Sequence, residues 1–496
     1  MTASISLRRG QYRDSVTLMQ VSRDLGAVDG VRTSFVAMAT ELNLDLLATM
    51  GFDRPTDFSP NDMLVAIGAD DEDALARADA RLTELLAVRA AAGSTASADH
   101  PAPRTVRAAA RQTPDATLAV LSVPGAAVLA EASDALDAGL SVLIFSDNVD
   151  VADEIALKDR ARTVGQLVMG PDCGTAMVGG VGLGFANVVR PGSVGLVAAS
   201  GTGAQQIMCL LDAAGVGVRH CLGVGGRDLS AEVGGRSTLQ ALDLLAADDA
   251  TEVVVVVSKP PADEVADRVT DHAARLGKPV VFALLGAGQP TLTEAAAEVV
   301  RVAGGTWTEP RWWPAPVERT GAYPYLRGLF SGGTLCDEAM LVAVPAVGPI
   351  ASNIPLDPAW RLPEDLRAPG HLMIDFGDDA LTRGRAHPMI DPSLRLARLA
   401  DEAADPACGV LLLDVVLGHA AHPDPAGDLA PAIRAAHERA GQDGRDLAVV
   451  IAMIGTSGDP QGLERQATTL RDAGASVHLS NAAAALKAVE LLGAES

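Results

Sequence analysis

Apolar positions along the chain fall into two rhythms. Continuous apolar runs at Thr117–Val123, Val142–Phe145, Leu167–Met169, Val194–Ala198, Val218–Leu222, Val253–Val257 and Pro279–Leu284 predict buried strands. Between them, Ala126–Ala138, Glu154–Arg162, a stretch from about Gly203 and Glu264–Leu276 carry apolar residues at helical spacing. Strands without a polar face imply sheets covered on both sides, and strand–helix alternation implies parallel sheets with crossover helices. Residues 366–496 resume the alternation, with strands at Leu372–Phe376, Gly409–Val416, Ala448–Ile454 and Ser476–Leu479. The predicted fold class is α/β with doubly wound parallel sheets.

The front of the chain reads differently. Ser15–Met19, Val31–Ala37 and Met63–Ile67 suggest strands, and Thr40–Met50 and Asp71–Ala91 suggest helices, giving a small α+β unit over residues 1–95. Ala92–Arg111, rich in Ala, Ser, Pro and Arg, reads as a linker. Residues 301–365 hold many prolines and all four tryptophans and read as a long connector. The expected division is 1–95, 112–190, 191–300, the connector 301–365, and 366–496. The alternation is architectural; no short-period repeat underlies it.

Composition narrows the chemistry. Aromatic residues make up only 3%, so the cores must be built of Val, Leu, Ile and Ala. The formal charge of −24 argues against nucleic-acid and anionic-membrane partners, which need clustered Lys and Arg. A small anionic substrate would then need backbone N–H groups and a few Arg side chains. No apolar run reaches the roughly 20 residues of a membrane span. The first ten residues have no apolar stretch behind their arginines, so no secretory leader is expected. Cys173, Cys209, Cys221, Cys336 and Cys408 are scattered, odd in number and without a C-x-x-C spacing, as in a cytoplasmic protein with reduced thiols. No metal site is expected; His419 and His422 are followed by Pro423 and Pro425 and lack a completing carboxylate.

Three Gly-rich turns follow strands, where open parallel sheets bind ligands. Ser200-Gly201-Thr202-Gly203 opens a helix, and free N–H groups beside hydroxyls suit a phosphate or carboxylate; a tight turn needing glycine only for its backbone is the alternative. Gly225-Gly226-Arg227 offers a guanidinium for a carboxylate, or a surface turn. Gly455-Thr456-Ser457 repeats the first loop's chemistry, and the two could face each other across a cleft. Asp172 and Cys173 end another strand; Cys173 has no neighbouring His and reads better as a buried thiol than as a nucleophile. Asp375, Asp378, Arg385 and His387 lie in a polar segment after a strand. Arg385 is the expected carboxylate grip, and His387 the expected proton donor near neutral pH. A salt-bridged loop explains the same residues without function.

The motifs Gly170-Pro171-Asp172-Cys173-Gly174, Arg190 to Val197, Ser200-Gly201-Thr202 and Gly223 to Gly226 resemble, in order and spacing, the α subunit of succinyl-CoA synthetase. Asp375 to Gly418 resembles the ligase domain of its β subunit. With Asp14 to Met19, Gly332-Gly333-Thr334-Leu335-Cys336 and Gly384 to Pro392, the whole chain resembles the FdrA family, often labelled acyl-CoA synthetase. The resemblance implies CoA-binding-like and flavodoxin-like domains. The chain departs from it at the loop that carries phosphohistidine in the synthetase, here Leu285-Gly286-Ala287-Gly288-Gln289-Pro290-Thr291-Leu292-Thr293, without His. The acidic segment that would contact that His reads Ser258-Lys259-Pro260-Pro261. The early Gly-rich loop of the CoA-binding domain is replaced, which removes the ground for expecting coenzyme A. The family is associated with oxamate-type carbamoyl transfer in allantoin breakdown. The expected substrate is therefore carbamoyl phosphate, with a small amide, separate partner subunits and no certain cofactor. A homo-oligomer, a CoA–acid ligase and a non-catalytic organising subunit stay open as alternatives.

Overall fold

The computed structural model describes residues 2–11, 13, 15–93, 103–317, 325–382 and 386–493. The chain divides into two compact units, Met1–Pro114 with Thr382–Ala386, and Asp115–Leu381 with His387–Ser496.

In the first unit, Met63–Ala69 lies between Thr2–Arg8 and Val31–Met38 in an antiparallel sheet. That middle strand is buried along its whole length because both faces are covered. Helices Ser15–Gly26 and Glu72–Gly93 pack Leu18, Val21, Leu25 and Leu82 on Val36, Val65 and Ile67. Helix Glu41–Thr49 packs Leu44 and Leu47 on Phe35, Leu64 and Ala66. Ser15–Met19, expected as a strand, opens a helix. Leu18, Val21 and Leu25 recur at intervals of three and four, a period that a five-residue window does not reveal. The expected linker also contains structure. Ala92 and Gly93 end one helix, and Val106–Gln112 forms another, capped where Ala108 N–H donates to Thr105 Oγ1 at 3.1 Å.

The second unit is built on three sheets. Leu118–Leu121, Ser141–Ile144 and Val168–Met169 form a small parallel one. The next orders Val280–Leu284, Val253–Ser258, Pro191–Ala199 and Val218–Gly223 in parallel, then adds the antiparallel hairpin Thr175–Val178 and Val181–Gly184. The last has seven strands, with Ala475–His478, Ala448–Ile454, Cys408–Val416, Tyr325–Phe330, Leu372–Asp375 and Ala351–Ser352 in parallel and Trp312–Trp313 antiparallel at its edge. The α/β class with doubly wound parallel sheets is what the apolar runs predicted, and each strand expected between residues 115 and 300 is present. The cores are Val, Leu, Ile and Ala, as the aromatic-poor composition requires.

The expected connector 301–365 is in part the heart of the last sheet. Tyr325–Phe330 pairs with both Leu372–Asp375 and Cys408–Val416, and helix Gly333–Val347 follows it. Arg327 and Gly328 interrupt its apolar run and hide the strand from a hydrophobicity reading. Arg327 is buried and is neutralised by Glu402 at 2.9 Å and Asp405 at 3.1 Å. Among the described residues, no helix is long and apolar enough to cross a membrane.

Candidate functional site

Two switch points define the site. In the six-stranded sheet, the chain leaves Pro191–Ala199 to one side for Val218–Gly223 and returns on the other side as Val253–Ser258. Crevices at such reversals are where α/β sheets bind ligands. Ala199 pairs with Ser258, so Ser200 and Lys259 leave the sheet side by side. In the seven-stranded sheet, Tyr325–Phe330 is flanked by Leu372–Asp375 and Cys408–Val416; Phe330 pairs with Asp375, and Leu329 with Leu413. Asp375 and Asp414 therefore stand on either side of the turn Ser331-Gly332.

These two strand ends meet. Ser200 caps helix Gly201–Ala213 by accepting Gly203 N–H at 2.9 Å, and its hydroxyl donates to Thr334 Oγ1 at 2.7 Å. Thr334 lies in the first turn of helix Gly333–Val347, whose start is capped by no side chain. Both helices thus bring positively polarised first turns to one junction. Glycine is required on the second of them. A Cβ on Gly332 would stand 2.7 Å from the Thr202 side chain, and one on Gly333 would stand 2.7 Å from Asp375 Oδ2. Asp414, fully buried, holds the preceding turn by accepting Ser331 N–H at 2.8 Å and Gly332 N–H at 2.9 Å, and is paired with Arg395 at 2.5 Å.

Around the junction lie acids and the exposed cation Lys259. Burial pushes the Asp375 carboxyl up to about 8; Gly377 N–H opposes this, and the negative charges of Asp378, Asp337 and Asp414 add to it. Burial pushes Asp337, in the second turn of the same helix, up to about 7 against the opposing charge of Lys259. Asp172 is open to water on one side yet crowded by protein atoms. That crowding, with Asp379 and Asp147, raises it to about 7, opposed by Lys259 and Arg227. Lys259 is exposed and acts electrostatically on Asp172, Asp337 and Asp379 together.

Several residues singled out from the sequence have other duties. Arg227 donates to the buried Glu154 at 3.1 Å and to Val149 O at 2.8 Å, so its guanidinium is tied within the fold. Gly225 has φ +90°, and a Cβ there would lie 2.5 Å from Pro171 O; Gly226 stands next to the Lys259 ammonium. Cys173 is buried, and its thiol is pushed up to about 12 by burial, which fits the buried-thiol reading rather than the nucleophile. The loop Gly455-Thr456-Ser457 is not the partner of the Ser200 loop. Thr456 donates its hydroxyl to Val188 O at 2.6 Å, Asp459 binds Thr456 N–H, Val188 N–H and Asn187, and Ser457 faces solvent. The partner is Gly332–Thr334, which shares the same signal of a strand followed by small and hydroxyl residues and a helix, but lay inside the supposed connector.

His387 also departs from expectation. Burial lowers its imidazole to about 4, so it is neutral at neutral pH and does not titrate there. Its Nδ1 accepts Met389 N–H at 3.3 Å, its ring lies 5.7 Å from that of Phe185, and Nε2 stands against Gly377. Asp378 accepts Ala380 N–H at 2.9 Å. Arg385 lies outside the described residues. Lys259 and Asp337 were not picked out as ligands from the sequence. Among the described residues, no group of three or more His, Cys, Asp or Glu could hold a metal ion.

Comparison with known proteins supplies the lineage. Residues 1–103 match the family model "AllF, heavy metal-associated domain", and residues 329–491 match the CoA-ligase family. The first 103 residues contain no cysteine, so the thiolates that soft metals prefer are missing from this part. The uncharacterized protein YahF of Escherichia coli (strain K12) is 39% identical over 99% of both chains. The succinate–CoA ligase [ADP-forming] subunit alpha 2 of Archaeoglobus fulgidus is 30% identical, over 36% of this chain and 61% of that subunit. The dinucleotide-forming acetyl-coenzyme A synthetase 1 of Ca. Korarchaeum cryptofilum, solved with phosphate and ADP, overlays 81% of this chain and 88% of its own at 16% identity and a TM-score of 0.32, too loosely to bear on function. The chain belongs to the family of YahF, and its second unit is of the succinyl-CoA-synthetase type.

Proposed function

We propose that this member of the YahF family transfers a small acyl group between phosphate and an acceptor at the Ser200–Thr334 junction, without a phosphohistidine. The specific reading is carbamoyl transfer between carbamoyl phosphate and a small amide of the oxamate type. The observation that supports it is the meeting of two helix starts through the Ser200 and Thr334 hydroxyls, beside Lys259. Such a junction offers backbone N–H groups, hydroxyls and one ammonium to phosphate oxygens.

Carbamoyl phosphate joins an anionic end to an NH2 group. The anionic end suits the helix starts and Lys259. The NH2 group suits the carboxyl oxygens of Asp337 and Asp375, which can accept its hydrogens. The loop Leu285–Thr293 has no imidazole on which phosphate could be held. Transfer would then rest on positioning and on stabilising charge at the phosphate, both of which the junction can supply. Separate partner subunits and a small anionic acceptor are part of this proposal; coenzyme A and a metal are not.

A CoA–acid ligase is the second reading, favoured by the CoA-ligase match over residues 329–491 and by the ligase relatives. Phosphate release from carbamoyl phosphate separates the two. The purified chain, alone and with co-purifying partners, is assayed with and without oxamate. Amide-dependent release with a carbamoylated product is expected. ADP formation that needs both coenzyme A and a carboxylic acid, without any release from carbamoyl phosphate, would replace transfer by ligation.

A further inference from the structure

We propose that Asp375 is the proton donor of this site, and that the site is therefore built to release an amide nitrogen from a carbamoyl group rather than a thiolate. The proposal rests on the carbamoyl-transfer reading and adds to it the leaving group and the residue that protonates it.

The carboxyl group is aimed by its surroundings. Asn353 grips the backbone of Asp375 on both sides, accepting its N–H and donating to its carbonyl, each at 2.9 Å. Oδ1 accepts Gly377 N–H at 2.8 Å. Oδ2 lies against the first residue of helix Gly333–Val347, 2.7 Å from where a Cβ on Gly333 would stand. Among the described residues nothing donates to Oδ2, and Asp375 is only 6% exposed. Thr334, the next residue of that helix, is bound to Ser200. A free carboxyl oxygen therefore stands at the junction where the two helix starts meet.

The ionisable side chains facing this carboxyl disfavour its charge, against Gly377 N–H and the polarised start of helix Gly333–Val347, which favour it. Asp378 presses on it from its own loop, Asp337 from the helix and Asp414 from the neighbouring strand. The Cys336 thiol, raised in turn by the Asp375 charge, and the neutral His387 imidazole offer no compensation. The nearby guanidinium of Arg395 is engaged by Asp414. Asp414, on the neighbouring strand, is surrounded by two backbone N–H groups, a hydroxyl and an arginine. Asp375 has one N–H. It is held protonated at neutral pH, with its titration raised to about 8.

The step balances as follows. A phosphate oxygen attacks the carbamoyl carbon of an N-carbamoyl amide. The carbon–nitrogen bond to the amide breaks, and its electron pair stays on nitrogen. The Oδ2 proton passes to that nitrogen, giving carbamoyl phosphate, a primary amide whose nitrogen is uncharged, and the Asp375 carboxylate, which water reprotonates. In the opposite direction the carboxylate takes the proton of the attacking amide. An amide nitrogen cannot leave as an anion near neutral pH, whereas a thiol ionises near pH 8.5 and leaves unaided. A protonated acid is thus needed for the first chemistry and idle in the second.

The test uses the full chain with its co-purifying partners, an N-carbamoyl amide (oxalurate) and inorganic phosphate. For the wild type, kcat for phosphorolysis should fall tenfold per pH unit above about pH 8. Asp375→Asn should lower kcat about a hundredfold and flatten that limb, and Asp375→Glu should keep the limb at reduced rate. In both variants phosphate should still raise the melting temperature, which shows a folded site. The infrared difference between wild type and Asp375→Asn should contain one carboxylic-acid band that titrates near pH 8, a readout apart from activity. An Asn variant with wild-type kcat and an unchanged alkaline limb would overturn the role of Asp375 and leave carbamoyl transfer standing. A wild type with neither phosphorolysis nor carbamoyl transfer would remove the underlying reading, and this inference with it.

Discussion

Ser200 Oγ lies 2.7 Å from Thr334 Oγ1, although the two residues are 134 apart in the sequence and follow strands of different sheets. That hydrogen bond joins the first turns of two helices, and the candidate chemistry is arranged around it. Thr334→Val removes the acceptor and leaves a buried hydroxyl unpaired, which should cost about 1–2 kcal/mol. Ser200→Ala should cost about 1 kcal/mol more, because the cap on Gly203 N–H is lost as well. Both should abolish the rise in melting temperature caused by phosphate; a rise that persists in folded Thr334→Val would place anion binding elsewhere.

The absence of an imidazole from Leu285–Thr293 bears on ATP chemistry. Incubated with labelled ATP and Mg²⁺, the chain should gain no acid-labile phosphohistidine. Stoichiometric labelling of any histidine would revive the ligase reading.

Lys259 tests the electrostatics without disturbing the fold, because it is exposed. Lys259→Gln should leave the melting temperature within about two degrees, consistent with most surface substitutions. The KM for carbamoyl phosphate should rise about tenfold, about 1.4 kcal/mol. An unchanged KM would remove Lys259 from the site.

Stability should depend on pH through two groups of opposite sign, the buried Asp375 and the half-buried His387. The folded His387 refuses a proton until about pH 4, whereas the unfolded chain accepts one near 6.5, so its contribution is complete above 6.5 and is lost as pH falls toward 4. The folded Asp375 keeps its proton up to about pH 8, whereas the unfolded chain releases it near 3.8, so its contribution is complete below 3.8 and is lost as pH rises through 8. Chemical denaturation should find Asp375→Asn gaining on the wild type at pH 9 and His387→Gln gaining on it at pH 4. Parallel curves for variant and wild type would contradict both assignments.

Arg227 offers a control. Its partner Glu154 is buried and also accepts Lys158 Nζ at 2.6 Å, so Arg227→Ala should cost about 1–3 kcal/mol by unpairing one carboxylate oxygen. The phosphate-induced melting shift should be unchanged. Loss of that shift in a folded Arg227→Ala would return Arg227 to the site.

Much of this protein is legible in its sequence, for a physical reason. A strand buried on both faces must be apolar throughout, so Val253–Ser258 or Ala448–Ile454 announces itself from one short window. The loop at Ser200 is equally local, since a helix cap needs only its own first turn. Absence is local too, and the missing histidine of Leu285–Thr293 is visible without any structure.

What tertiary structure alone decided are relations between distant residues. Tyr325–Phe330 is a central strand although Arg327 breaks its apolar run, because Glu402 and Asp405 neutralise that charge from other elements. Thr334, rather than Thr456, meets Ser200 because strand order brings Tyr325–Phe330 and Pro191–Ala199 to one junction, whereas the Thr456 hydroxyl is taken by Val188. Arg227 is tied to the buried Glu154, and Cys173 is buried, relations that neither loop shows by itself. Asp375 and His387 are ordinary titratable residues in the sequence. One keeps its proton and the other refuses one only because folding withdraws both from water, and the acids that surround Asp375 come from a helix, a loop and a strand far apart in the chain.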